Sequence, residues 1–129
     1  MKLKLFPLTL LLISTCALVT IGQRRPPILD GTIGIPAGNH WRAAFVADDG
    51  DRVQGWFRVA SKDVICLIMD AENYDLFRKG YEPFVVYNSG KVTAANLNAK
   101  LRRGTYYFVL SNQYSVFTSK TVNGLVRLR

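Results

Sequence analysis

The sequence contains a single histidine, His40, and only two cysteines, Cys16 and Cys66. One histidine excludes a metal centre built from several imidazoles, and any Ser-His-Asp arrangement would have to use His40. The sequence also lacks a Gly-x-Ser-x-Gly elbow and a glycine-rich phosphate loop. We therefore expect a protein that is not an enzyme, without catalytic residues, cofactor or bound metal. A small hydrolase using His40 or an acidic loop is the third alternative for its function.

Long apolar runs are also absent, except at the N-terminus. A basic start at Met1–Lys4 precedes an apolar run from Leu5 to Ile21 and the small residue Gly22. This order is typical of a secretory signal peptide covering residues 1–22, so we expect an exported protein, whether periplasmic, secreted or tethered outside the cytoplasm. The run is close to the minimum length of a membrane span, which leaves an uncleaved N-terminal anchor as an alternative. A lipoprotein site at Cys16 is a further alternative.

After residue 22, the sequence contains one cysteine, and its basic residues are not clustered. Cys66 lies within the apolar run Val64–Met69, which favours a buried thiol, and no second cysteine outside the signal segment could pair with it. The net charge of the whole chain is +8, but the basic residues are dispersed, which is typical of a solvated surface. No groove-reading motif accompanies them, so we expect no nucleic-acid partner and membrane contact only through an uncleaved N-terminal segment.

The dominant pattern in the rest of the chain is short-strand alternation. Residues 23–30 are rich in Arg and Pro and are predicted to form a linker. Residues 31–129 are predicted to form one domain. Arg52–Ala60 alternates with Val53, Gly55, Phe57 and Val59 inward and Arg52, Gln54, Trp56 and Arg58 outward. Gly104–Asn112 is apolar on both faces, which predicts a central strand. Asp70 is placed to cap a short helix that Lys79-Gly80 would end.

Turn signals recur every eight to twelve residues between these segments. Pro36–Asn39, Asp48–Asp51 and Asn88–Gly90 are examples, each rich in the residues that turns require. The pattern predicts an all-β fold, an antiparallel jelly-roll-like β-sandwich of about eight strands with one short helical turn.

Several of these segments together resemble the GOLD (Golgi dynamics) β-sandwich, and more closely small exported bacterial proteins of GOLD-like type. The segments are Ile35–Gly38, Gly50–Val59, Met69–Tyr74, Gly104–Asn112 and Lys120–Val122. The resemblance implies a non-catalytic module that binds protein or lipid. The GOLD family often joins the domain to a membrane segment or coiled coil, and no coiled coil is predicted here.

Two acidic clusters have alternative interpretations. Asp48, Asp49 and Asp51 surround one turn and could offer oxygen ligands to calcium, although aspartate is common in turns for local reasons. The second cluster could in principle hydrolyse a glycosidic bond, but a helix cap with solvated neighbours explains it as well. It consists of Asp70, Glu72 and Asp75.

Aromatic residues in two long loops form the candidate binding surface. They are Tyr74, Phe77, Tyr81, Tyr114 and Phe117. Aromatic rings at the end of a sandwich could stack on a sugar or peptide, although rings that plug the open end of the core are the more common case. We expect an exported, non-catalytic binding module for a protein or an envelope polymer. A carbohydrate- or cell-wall-binding module using these loop aromatics is the alternative.

Overall fold

The computed structural model describes residues 25–129, which form two four-stranded antiparallel sheets and one short helix. The elements are β1 Leu29–Ile35, β2 His40–Ala47, β3 Arg52–Val59, β4 Val64–Asp70, α1 Ala71–Arg78, β5 Tyr87–Val92, β6 Ala94–Lys100, β7 Gly104–Ser111 and β8 Lys120–Leu128. The first sheet has the strand order β1-β8-β3-β6 and the second β2-β7-β4-β5. Consecutive strands alternate between the two sheets except β4 and β5, which pair within the second sheet. This is the arrangement of a jelly roll, and it confirms the predicted fold class.

The core lies between the inner faces of the two sheets. On β3, Val53, Phe57 and Val59 are buried while Trp56 and Arg58 are exposed, as the alternation predicted. On β7, Phe108 and Leu110 point into the same core. Each strand therefore contributes every second side chain to the core, and its other side chains lie on an outer face.

α1 packs on the outer face of the second sheet, over β7 and β4. Asp70 caps this helix by accepting a hydrogen bond from the backbone N of Asn73 at 2.8 Å, as predicted. Tyr74 of α1 packs with Met69 and Val109 in a second apolar cluster. β7 and β4 are consequently buried on both faces, which explains why their sequences are apolar throughout. Cys66 on β4 is fully buried, and burial raises the pKa of its thiol.

One predicted turn is wrong. Asn88–Gly90 lies inside β5, because the pairing of β4 with β5 shifts register between Ile65 and Leu67. At this irregularity the backbone N of Cys66 donates to Oγ of Ser89 at 2.8 Å, so a serine side chain takes the place of a ladder partner. Turn-forming residues are therefore accommodated within the strand.

The N-terminal part of the described chain joins the sandwich early. β1 begins at Leu29, and Ile28 and Leu29 are buried in the core, inside the range 23–30 predicted as a linker. Residues 1–22, predicted as a signal peptide, lie outside the described residues. Over residues 25–129, no helix has both the length and the apolar character needed to cross a membrane.

Candidate functional site

Two of the five predicted aromatic residues lie on α1 and face the protein. Tyr74 is 4% exposed, and its ring stacks on Tyr107 with ring centres 4.0 Å apart. Its hydroxyl accepts a hydrogen bond from the Arg42 guanidinium at 2.7 Å and lies 3.0 Å from Nε2 of His40. The ring of Phe77 packs edge-on against His40, with centres 5.0 Å apart. Tyr74 therefore holds α1 on the sheet and has no face free for a ligand.

Tyr114 occupies a polar cluster at the end of the sandwich. Its hydroxyl donates to the carboxylate of Asp63 and lies 2.6 Å from the Asp63 carbonyl oxygen. Nζ of Lys120, a side chain only 2% exposed, donates to the same carbonyl oxygen at 2.7 Å. Nζ of Lys91 lies 4.2 Å from the centre of the Tyr114 ring. Tyr114 thus joins the loop before β4 to the start of β8.

The Asp63 cluster predicts a pH dependence of stability. The hydrogen bond from Tyr114, and then the charge of Lys120, lower the pKa of Asp63 below its usual value. A lowered folded-state pKa means that ionised Asp63 contributes stability above its unfolded-state pKa, and that this contribution disappears as pH falls through the folded-state pKa. We expect Asp63→Asn to lower the free energy of unfolding in urea at neutral pH, with the deficit shrinking as pH drops below about 4.

The matched control is Asp49→Asn, which removes a carboxylate from an exposed turn. Its effect on the free energy of unfolding should be small at every pH. An Asp63→Asn deficit that is equally large in acid and at neutral pH would contradict the assigned role of the carboxylate.

Tyr81 and Phe117 are the predicted aromatic residues that remain open to solvent. Tyr81 is 66% exposed, and Phe117, at the tip of the β7–β8 loop, is 95% exposed. Tyr81 follows the end of α1, where its backbone N donates to the carbonyl oxygen of Leu76 at 2.9 Å. Other exposed apolar side chains in this part of the chain are Leu76, Phe84 and Val86. Of the five predicted residues, Tyr74, Phe77 and Tyr114 therefore take part in internal contacts, and Tyr81 and Phe117 are the two that are largely exposed.

The acidic clusters and His40 are engaged in local contacts. Asp48 and Asp51 both pair with the guanidinium of Arg25, at 3.1 and 2.6 Å. Asp75 pairs with Arg78 and Lys79, both at 2.8 Å. No group of three or more His, Cys, Asp or Glu side chains suited to a metal ion occurs within residues 25–129.

The hydrogen-bond partners of His40 are the side chains of Tyr74 and Gln113, at 3.0 and 3.1 Å. Burial, and then the charge of Arg42, lower the pKa of His40. The hydrogen bonds of His40 therefore involve neither a serine nor a carboxylate, the groups that general-base catalysis of hydrolysis would pair with it.

The most distinctive exposed surface is the outer face of the first sheet, which we call the Trp56 face. It consists of the outward side chains of Asp30 and Thr32 on β1, Arg52, Gln54, Trp56 and Arg58 on β3, Asn96, Asn98 and Lys100 on β6, and Asn123, Leu125, Arg127 and Arg129 on and after β8. Trp56 is 40% exposed. Because β3 is flanked by β8 and β6, this indole lies in the middle of the sheet, opposite Leu125 and Asn96.

Side-chain amides surround the indole. Gln54 and Asn98 lie opposite each other on β3 and β6, and Oδ1 of Asn98 accepts hydrogen bonds from Arg52 at 3.2 Å and Gln54 at 3.4 Å. Asn123 lies opposite Arg58 on the other side of β3. An amide offers both donors and acceptors, so this surface can bind partners that carry both kinds of group.

Three shallow depressions adjoin Trp56. They have volumes of about 250, 280 and 220 Å³, and lie toward Arg58 and Asn123, toward Asn96, and toward Leu125 and Arg127. Each is smaller than a typical enclosed small-molecule site, which has a volume of about 300–1,000 Å³. The arrangement is that of an open platform with recesses on several sides of one ring.

Sequence reasoning placed Trp56 on an outer face but did not recognise it as a site. The signal was present, because a tryptophan in an outward position of an alternating strand is unusual on a solvated surface. What the sequence could not show is that β8 and β6 flank β3 and surround this indole with amides and arginines, since β8 lies more than sixty residues away along the chain.

The chain was compared with protein-family models and with curated proteins. No protein-family model matches this chain, and no curated protein matches it.

Proposed function

We propose that this chain is a non-catalytic binding module and that the Trp56 face binds a polysaccharide laid across the first sheet. The observation that carries the proposal is the 40% exposed indole of Trp56 at the centre of an open and mostly polar sheet face. The proposal retains the predicted class of binding module for an envelope polymer, and assigns the binding to the sheet in place of the loop aromatics.

The chemistry of the face suits a sugar polymer. A pyranose ring has an apolar side that can stack on an indole, and hydroxyls that both donate and accept hydrogen bonds. Asn96, Asn123 and Gln54 supply amides with the same dual capacity around Trp56. Recesses on several sides of the indole leave room for the polysaccharide to continue beyond the sugar ring that stacks on Trp56.

The non-catalytic part of the proposal is supported by the partners of His40, which are Tyr74 and Gln113. The resemblance to GOLD-like modules favours binding as well. Export and membership of that group stay predictions, and an exported location would place the Trp56 face where envelope polysaccharides occur.

Trp56→Ala tests the proposal. We expect the affinity for a bound polysaccharide, measured by affinity electrophoresis and titration calorimetry against a panel of soluble glycans, to fall about tenfold or more, because the stacking surface is removed. Trp56→Tyr should retain part of the affinity. The control is Tyr81→Ala with Phe84→Ala, which removes exposed aromatic rings near α1 on the second sheet and should bind like the wild type.

A spectroscopic readout accompanies this experiment. The chain contains two tryptophans, so Trp41→Phe leaves Trp56 as the only one, and a binding glycan should shift and enhance its fluorescence. Thermal melting of each variant shows whether it is folded. Loss of glycan binding in the Tyr81→Ala, Phe84→Ala variant together with unchanged binding in Trp56→Ala would move the site to the loops. Absence of binding to every glycan would overturn the proposal.

A further inference from the structure

We infer that the ligand of the Trp56 face is an acidic polysaccharide whose sugar rings carry carboxylates, and that Arg58 and Arg127 bind those carboxylates on either side of Trp56. This inference rests on the proposed function and specifies the class of glycan.

The charge of the face is almost entirely of one sign. Its side-chain cations are those of Arg52, Arg58, Lys100, Arg127 and Arg129, and its single side-chain carboxylate is that of Asp30, on the edge strand β1. None of the ion pairs formed within residues 25–129 includes any of these cations. Their charges are therefore not neutralised by the protein, and an acidic ligand would complement them.

The positions of Arg58 and Arg127 suit a ring stacked on Trp56. Arg58 follows Trp56 by two residues on the same face of β3, a separation of about 7 Å along the strand. Arg127 lies on the neighbouring strand β8, opposite Gln54. Gln54 precedes Trp56 by two residues, so Arg127 and Arg58 lie on opposite sides of the indole along the strand direction. Both side chains also line recesses that include Trp56. A carboxylate attached to the stacked sugar or to its neighbour would lie within reach of one of these guanidinium groups.

The type and spacing of the cations favour carboxylates on a sugar chain. Four of the five are arginines, whose planar fork pairs with a carboxylate through two parallel hydrogen bonds. Along β3 the outward order is Arg52, Gln54, Trp56 and Arg58, so an amide and a ring separate the charges. This alternation matches a polymer that alternates acidic groups with hydroxyls, whereas a densely sulfated chain would be matched by contiguous cations.

A single-stranded nucleic acid fits the face less well. Proteins that bind such strands stack successive bases on several aromatic rings. Among the residues that define the Trp56 face, Trp56 is the one with an aromatic side chain. A nucleic acid would therefore find one stacking position and no continuation.

The test compares the wild type with two double variants. One carries Arg58→Gln together with Arg127→Gln, and the other carries Arg78→Gln together with Lys79→Gln. The second pair removes the same charge from the end of α1, on the opposite side of the sandwich. The probes are polygalacturonate, neutral dextran, dextran sulfate and an oligodeoxynucleotide, titrated at about 0.01 M and about 1 M salt. Thermal melting verifies that each variant is folded.

We expect wild type to bind polygalacturonate at least about tenfold more tightly than neutral dextran at low salt, and the preference to shrink at high salt as the charges are screened. Arg58→Gln, Arg127→Gln should lose most of this preference, while Arg78→Gln, Lys79→Gln should retain it. Equal, Trp56-dependent binding of neutral and acidic glycans would overturn this inference and leave the proposed function intact. Tighter binding of dextran sulfate or of the oligonucleotide would also overturn it. Failure to bind any glycan would instead overturn the proposed function.

Discussion

Gly55→Ala is expected to destabilise the protein by about 3 kcal/mol or more, a substantial fraction of the roughly 5–15 kcal/mol by which small domains are stable. Gly55 lies on β3 opposite Val126, with φ at +145°, a backbone conformation that residues with a side chain rarely adopt. A Cβ atom there would lie 2.0 Å from the carbonyl oxygen of Leu125 and 2.7 Å from Cα of Val126. Both are backbone atoms of the paired strand, so the clash can be relieved only by separating β3 from β8.

Urea unfolding followed by circular dichroism measures this effect. Gly34→Ala is the matched control, because a Cβ at Gly34 on the edge strand β1 meets no atom within 4 Å. The control should change the free energy of unfolding by no more than about 0.5 kcal/mol. Near-wild-type stability of Gly55→Ala would show that the close approach of the two strands is wrong. Since the Trp56 face is built on the pairing of β3 with β8, any folded Gly55→Ala protein should also bind glycan more weakly.

Phe108→Ala is expected to lower the free energy of unfolding by about 3–5 kcal/mol. Phe108 is fully buried on the central strand β7, and its ring packs edge-on against Trp41 with centres 6.3 Å apart. Removing the ring loses its burial and leaves a cavity between the two sheets, which close-packed neighbours can fill only in part.

Phe117→Ala provides the same chemical change at the surface. Phe117 is 95% exposed at the β7–β8 loop, so its truncation should alter the free energy of unfolding by no more than about 0.5 kcal/mol. Comparable urea midpoints for the two variants would contradict the assignment of Phe108 to the core. The comparison also tests one of the loop aromatics, because Phe117→Ala should retain glycan binding if the Trp56 face is the site.

Local patterns in the sequence were sufficient for much of the architecture. The period of two in β3 placed Phe57 inside and Trp56 outside, and both placements are confirmed. Asp70 was recognised as the cap of α1 because its carboxylate and the backbone it bonds are only three residues apart. Such features depend on neighbours in the chain, which a sequence displays directly.

Local patterns were insufficient where distant segments decide the outcome. Asn88–Gly90 has the composition of a turn, but pairing with β4 holds it in β5. Tyr74 and Tyr114 looked like surface aromatics of long loops. Their hydroxyls instead bond to groups 32 and 51 residues away, on Arg42 and Asp63. A loop composition does not reveal such partners.

The sequence by itself determined the class of fold and the inner and outer faces of regularly alternating strands such as β3, because alternation and turn chemistry act between near neighbours. Only the tertiary structure decided which strands are adjacent. The order β1-β8-β3-β6 places Trp56 among amides and arginines from β8 and β6, and α1 packs on the second sheet while leaving the Trp56 face in solvent. Strand pairing joins residues far apart in the chain through backbone hydrogen bonds that carry no side-chain signature, so a binding surface assembled across strands becomes visible only in the folded sheet.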